Sequence, residues 1–184
     1  MEIVQTSIHG LIQIIPKIHQ DRRGWFIELH KSSQFQEICG NTQFVQDNLS
    51  FSNKNVLRGL HLQLGQSAQA KLVMVLSGNV LDVVVDLRKG SPTFGKHYQL
   101  ELNSQLMNML FVPEGFAHGF SAIDDSIFLY KCSTEYDPSN ESGILWDDKT
   151  LNIDWKNPNP IVSDKDRQLP TFKDLLQKSV ISQF

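Results

Sequence analysis

The run RGLHLQ at residues 58–63 carries side chains suited to acid–base chemistry. In a strand, Leu60 and Leu62 face one way while His61 and Gln63 face the other. An imidazole gains or loses its proton near neutral pH, so His61 is a candidate general acid or base. A lone strand histidine is usually structural or exposed. An arginine, a histidine and a glutamine on one short strand make a ligand-facing surface an equal alternative.

Two further candidate residues, Lys71 and His118, lie close in sequence to apolar runs. Lys71 stands at the head of the next run, and burial there would lower its pKa unless an anion partnered it. His118 lies in PEGFAHG at 113–119, a turn that could aim it at the mouth of a barrel. A metal site needs three or four ligands, and His61 is followed by Leu and Gln, not by a second histidine. We therefore expect no metal.

Each of the other polar clusters, considered alone, has both a functional and a purely structural interpretation. Arg22 and Arg23 beside Gly24 suit phosphate recognition because the guanidinium fork matches phosphate oxygens, but for an isolated pair of arginines a solvated turn is the favoured interpretation. Tyr130 is also typical of a core tyrosine. The run at 164–166 is also typical of a charged surface loop.

The elements that must position these groups are short and rich in β-branched residues. The chain has 184 residues, which predicts a single domain over 1–184. The segment 73–87 predicts two strands around Ser77-Gly78-Asn79, a turn of the hairpin kind. In the second strand Asp82 shares a face with the valines at 80 and 84. Residues 97–103, 107–123 and 126–134 predict further strands.

Helix signals are few. The segment 32–38 offers an N-cap serine with a glutamine three positions on (Ser33 and Gln36), and Thr171 is a candidate N-cap for a helix over 171–180. Many short strands with two small helices predict an all-β sandwich or barrel and disfavour a βαβ fold.

Composition excludes several classes of function. The net charge is −3, which disfavours sequence-independent nucleic-acid binding. No targeting or membrane-spanning segment is recognisable, so we expect a cytoplasmic protein that does not bind membranes. Cys39 and Cys132 are expected to be free thiols. The sequence contains no glycine-rich phosphate loop and no G-x-S-x-G elbow, which disfavours nucleotide-dependent redox chemistry, NTP hydrolysis and esterase activity.

Taken together, the motifs resemble the RmlC family of dTDP-4-dehydrorhamnose 3,5-epimerases. The resemblance runs in order from about residue 3 to 172 and includes FVQDN at 44–48, NVLRGLHLQ at 55–63, VPEGFAHGF at 112–120 and SDKD at 163–166. It implies a cupin-type jelly-roll barrel with a few short peripheral helices. It also implies a homodimer that acts on a dTDP-linked keto sugar without metal or organic cofactor.

The same resemblance assigns roles to individual residues. His61 matches the general base, Asp166 its carboxylate partner, Tyr130 the proton donor and Lys71 the group that stabilises an enolate oxygen. The positions that match ligand contacts are Arg23, Glu28, Gln46, Asn48, Arg58, His118, Tyr136, Glu141 and Lys165. Tyr136 matches an aromatic residue that stacks on thymine. One departure is Glu135, where several relatives have a second tyrosine.

The activity implied is inversion of C3 and C5 of dTDP-4-dehydro-6-deoxy-D-glucose. Close alternatives are a C3-only epimerase and an epimerase of another nucleotide-linked 4-keto sugar. From other classes, a non-catalytic cupin that binds nucleotide sugars and a metal-dependent cupin remain to be distinguished by experiment.

Overall fold

Two antiparallel sheets face each other in the computed structural model, which describes residues 1–177. The first sheet contains, in spatial order, β1 (Glu2–Gln5), β2 (Ile12–Ile15), β10 (Met109–Val112), β7 (Lys71–Ser77), β12 (Ser126–Cys132) and β5 (Gln46–Ser52). The second contains β13 (Glu141–Gly143), β6 (Val56–Gln63), β11 (Phe116–Ala122), β8 (Asn79–Asp86) and β9 (His97–Asn103), with β14 (Ile161–Val162) parallel to β6. The mainly β fold predicted from sequence is confirmed.

The remaining elements are small and peripheral. A two-stranded ribbon joins β3 (His19–Asp21) to β4 (Gly24–Phe26). Within residues 1–177, the α-helices are α1 (Ser32–Cys39), α2 (Asp164–Arg167) and α3 (Phe172–Gln177).

Alternation along the strands divides the core into three apolar layers. Between the sheets, Val73 and Val75 of β7 meet Val80 and Val84 of β8. The outer face of the second sheet packs against the C-terminal segment, which includes Trp155. The outer face of the first sheet is covered in part by α1. Because both faces of the central strands β7 and β8 are buried, these strands are apolar almost throughout.

The turn at Gly78 does not form the predicted hairpin. β7 pairs with β10 and β12, whereas β8 pairs with β11 and β9, so the turn carries the chain from one sheet to the facing one. Gly78 has φ +85°, and an added Cβ there would overlap the backbone of Asp125. The local sequence specifies a sharp turn, but the choice of strand partner depends on distant segments.

The helix ends were predicted with mixed success. The predicted serine cap is wrong, because both serines lie inside the helix, which follows Lys31, and no side chain caps it. Thr171 does cap α3, its Oγ1 accepting from the backbone N–H of Asp174 at 3.2 Å. The end of that predicted helix, residues 178–180, lies outside the described residues. The sequence analysis missed α2, which Ser163 caps.

A β-bulge in β6 determines which side chains face the space between the sheets. Leu57 and Leu60 both pack on the outer side although they lie three residues apart. Gly59 lies between them with φ +115°, and an added Cβ would come within 2.6 Å of the Cα of Gly119 on β11. The strand pairing shifts register here. The bulge therefore turns both Arg58 and His61 inward, which a regular strand would not do.

Candidate active site

Two adjoining pockets between the sheets share His61, Lys71 and Tyr130 in their walls. The larger, the inner cavity, has a volume of about 510 Å³ and is also lined by Arg58, His118, Lys165 and Asp166. The smaller, the side pocket, measures about 290 Å³ and is also lined by Gln46, Asn48, Tyr136 and Glu141. Eleven of the thirteen residues expected at the site therefore meet around one connected space.

His61 on β6 forms a close pair with Asp166 on α2. Its Nε2 lies 2.7 Å from Oδ1 of Asp166, and Oδ2 accepts from the backbone N–H of Gly59 at 3.1 Å. Burial acts to raise the pKa of Asp166, but hydrogen bonds and the charge of His61 outweigh it, so the pKa lies below its usual value. The carboxylate therefore stays charged at neutral pH and fixes the orientation and tautomer of His61.

Tyr130 and Lys71 reach the cavity from the opposite sheet. Tyr130 lies on β12 and Lys71 on the neighbouring strand β7. Both line the cavity that His61 lines from the second sheet. Burial raises the pKa of Tyr130, with a smaller contribution from Cys132. Burial lowers the pKa of Lys71, opposed by the charges of Cys132 and Asp82 among others. The cavity therefore holds a neutral phenol on one wall and an imidazole on the other.

The side pocket contains a connected set of polar groups. Tyr136 donates from its hydroxyl to Oε2 of Glu141 at 2.6 Å, and Lys165 donates to the same oxygen. Gln46 accepts from the backbone N–H of Tyr136 at 2.8 Å and donates to Asn48 at 3.0 Å. Burial acts to raise the pKa of Glu141, but hydrogen bonds from Lys165 and Tyr136 bring it below its usual value. These groups can recognise a polar, partly flat ligand.

Two basic side chains of the inner cavity, Arg58 and His118, lie on the paired strands β6 and β11. Arg58 donates from Nε to Oγ of Ser52 at 3.0 Å and from Nη2 to the carbonyl of Phe51 at 3.2 Å. These two bonds position the guanidinium before any ligand binds. His118 lies opposite His61 in the β6–β11 pairing.

Arg23 and Glu28 are not brought to this cavity within the single chain. Arg23 is exposed on the β3–β4 ribbon and pairs with Asp21 at 2.6 Å. Both line an open groove of about 730 Å³ along the ribbon. Trp25 and Phe26 of the same ribbon are 59% and 64% exposed.

The sequence analysis missed several residues of the cavity walls. They are Ser50, Gln69, Phe120, Phe128, Cys132 and Ser163. Alternation along β5 and β12 could have indicated Ser50 and Phe128, which share a face with Asn48 and Tyr130. Cys39 and Cys132 are free, as predicted.

Within residues 1–177, no group of three or more histidine, cysteine or acidic side chains is arranged to hold a metal ion. Over the same range, no helix combines the length and apolar character that a membrane crossing requires.

Comparison with known proteins gives one consistent result. A family model described as dTDP-4-dehydrorhamnose 3,5-epimerase matches residues 5–174. An enzyme of that name from Shigella flexneri is 46% identical over 176 residues, covering 95% of this chain and 97% of that protein. The crystal structure of dTDP-4-dehydrorhamnose 3,5-epimerase from Elizabethkingia anophelis has a TM-score of 0.91 and 46% identity, covering 95% of this chain and 97% of that one. The Legionella pneumophila enzyme, solved in complex with dTDP-4-keto-L-rhamnose, has a TM-score of 0.90 and 42% identity, covering 94% and 93%.

The two-sheet fold, with an imidazole–carboxylate pair facing a phenol across a cavity, defines a cupin-type isomerase. The match extends over nearly the whole length of the relatives as well as of this chain. The chain belongs to the dTDP-4-dehydrorhamnose 3,5-epimerase family, and the resemblance found in its sequence is confirmed.

Proposed function

We propose that this chain inverts C3 and C5 of dTDP-4-dehydro-6-deoxy-D-glucose to give dTDP-4-dehydro-L-rhamnose. The observation that carries the proposal is the arrangement of His61 and Tyr130 on facing sheets around one cavity. Epimerisation requires a base on one side of the sugar and a proton donor on the other, and these two side chains supply both.

The first step is removal of the proton on C3 by His61. This proton is acidic because the electron pair it leaves behind moves onto the C4 oxygen, forming an enolate. A positioned base contributes about 10²–10⁴-fold in rate. Asp166 stabilises the imidazolium that forms, and Lys71 offers a positive charge to the enolate oxygen.

The second step is protonation of the carbon by Tyr130 from the opposite face. The enolate double bond shifts back, the C4 ketone re-forms and C3 is inverted. The raised pKa of Tyr130 keeps the phenol protonated at neutral pH, so the proton is available to be delivered. The phenolate and imidazolium then exchange protons with solvent, and the same two steps invert C5.

The other cavity residues hold the substrate in this scheme. Arg58, His118 and Lys165 bind the diphosphate and sugar, and Gln46, Asn48 and Glu141 contribute further polar contacts. Tyr136, which is half exposed, stacks on the thymine base.

We also propose that the active form is a homodimer. The β3–β4 ribbon exposes two large aromatic side chains beside Arg23 and Glu28, and apolar surface of this kind is typical of an interface. In a dimer, Arg23 and Glu28 of one protomer would close the cavity of its partner. A Phe26→Asp variant is expected to be monomeric in light scattering and to lose activity. A fully active monomer would contradict this assembly.

The protein is proposed to work as a single domain in the cytoplasm, without a metal or organic cofactor. The alternative of a metal-dependent cupin is tested by exhaustive chelation followed by a rate measurement. Full activity after chelation is expected, and a loss restored by a divalent cation would contradict the proposal.

The reaction itself is tested by incubating the protein with the keto sugar in D₂O and determining the mass of the product. Two deuterons support inversion at C3 and C5, whereas one indicates a C3-only epimerase. No deuterium would contradict proton abstraction and leave a binding protein. A His61→Ala variant provides the control, since it should still bind dTDP while turnover collapses.

A further inference from the structure

A second imidazole–carboxylate pair lies beside the first. Nε2 of His118 on β11 lies 2.8 Å from Oδ2 of Asp82 on β8. His118 is directly opposite His61 in the strand pairing, so the three neighbouring strands β6, β11 and β8 contribute one member each. His118 lines the inner cavity, whereas Asp82 lies behind it and has no exposed surface.

The surroundings of Asp82 do not explain why a carboxylate is present. It lies on the inward face of β8 between Val80 and Val84, both fully buried. Its Oδ2 contacts His118, and its Oδ1 is buried without a hydrogen-bond partner among residues 1–177. A buried, incompletely bonded carboxylate is unfavourable for folding, and an apolar residue would fill the same space at lower cost.

Asp86, on the same face of the same strand, is a useful comparison because its carboxylate has a purely structural role. It is equally buried, but its two oxygens accept from the side chains of Arg88, Ser91 and Thr93. Both oxygens are satisfied and none of these partners lines the inner cavity. The contrast indicates that Asp82 is kept for its effect on the cavity.

We propose that Asp82 is a positioning residue for the epimerisation: it orients the ring of His118 toward the bound sugar and supports the positive charge of Lys71 that stabilises the enolate oxygen. This inference rests on the proposed function. The bond to Asp82 fixes the orientation of the His118 ring and places a ring proton on Nε2. The same carboxylate acts on Lys71, where its charge opposes the lowering of the pKa that burial causes. One buried anion thus orients an imidazole and supports an ammonium group where negative charge develops, and its benefit is greatest in the transition state.

The test compares Asp82→Asn with the wild type and with Asp86→Asn as the matched control. Asparagine keeps the shape and can still accept from Nε2, but it removes the charge. We expect kcat of Asp82→Asn to fall about 10- to 100-fold while KM and dTDP affinity change less than about twofold. Asp86→Asn should melt at a lower temperature and keep kcat within about twofold when assayed well below that temperature.

The double variant Asp82→Asn/His118→Asn shows whether Asp82 acts through the imidazole. We expect it to be no slower than His118→Asn alone, because residues that act as a unit are not additive. Losses that multiply, an unchanged kcat, or a fall in dTDP affinity as large as the fall in kcat would each overturn the proposal. If the wild type does not epimerise the sugar, the proposed function fails instead.

A measurement on the wild type covers the case in which Asp82→Asn does not fold. Nitrogen-15 spectra of the histidine side chains, assigned with His118→Asn, should show a proton on Nε2 of His118, where it donates to Asp82. An unprotonated Nε2 would overturn the proposal.

Discussion

Replacing Asp166 with asparagine should lower kcat while leaving dTDP binding intact. In the native chain, Oδ1 of Asp166 contacts Nε2 of His61 at 2.7 Å while Oδ2 accepts from the N–H of Gly59 at 3.1 Å. An asparagine has one oxygen for these two sites. If its oxygen stays with Gly59, its amide group donates to Nε2 and the ring proton moves to Nδ1. The second ring nitrogen is then no longer a free base.

The size of the effect follows from the bond that is lost. A hydrogen bond to a charged group contributes about 1.5–3 kcal/mol, and this pair is largely enclosed, with the Asp166 side chain 5% exposed. Because about 1.4 kcal/mol corresponds to a tenfold change in rate, kcat should fall roughly 10- to 150-fold. dTDP affinity should stay close to the wild-type value, since the change removes no group that lines the side pocket.

The assay is the initial rate of deuterium incorporation at C3, followed by NMR in D₂O. Asp164→Asn is the matched control, because Asp164 lies on the same short helix and is exposed. It should retain the wild-type rate. If Asp166→Asn is as fast as Asp164→Asn while His61→Ala is inactive, the carboxylate does not act through the imidazole and the reasoning fails.

Two further predictions concern Lys71 and the buried network of Asp86. Replacing Lys71 with methionine should lower kcat about 10²–10³-fold and leave dTDP affinity unchanged. Steady-state kinetics and a binding titration check this prediction. Equal losses in kcat and in dTDP affinity would assign Lys71 to substrate binding instead. Burial acts to raise the pKa of Asp86, but hydrogen bonds from Arg88, Ser91 and Thr93 lower it from 3.8 to about 2. Since the folded-state pKa is depressed, this carboxylate stabilises the fold by about 2 kcal/mol above roughly pH 4, and the contribution is lost as the pH falls through 2. The difference in free energy of unfolding between wild type and Asp86→Asn, measured with urea, should therefore shrink as the pH falls from 4 to 2. A difference that does not depend on pH would contradict this prediction.

The strands were predictable because their pattern is local. Runs of β-branched and aromatic residues bounded by turns predict β8 and β12. The prediction that Asp82 shares a face of β8 with Val80 and Val84 is confirmed. Strand partners were not predictable in this way. The turn at Gly78 has the composition of a hairpin, yet the strands on either side belong to different sheets.

The site shows the same division between local and distant information. Arg58, His61 and Lys71 could be recognised as candidates from the sequence around them. Asp166, which lies 105 residues beyond His61, resembled a surface loop when taken alone, and only the family resemblance connected the two. The bulge at Gly59 was also missed, because its cause is the close approach of Gly119 on another strand.

The central claim is that the proton leaves from the face of His61 and returns from the face of Tyr130. The most direct test is a Tyr130→Phe variant given the keto sugar in D₂O, with deuterium content and configuration at C3 both read by NMR. We predict that deuterium still enters C3 through His61 while inversion at C3 falls at least about 100-fold. Inversion at the wild-type rate would contradict the account, because the proton would then reach the opposite face without the phenol.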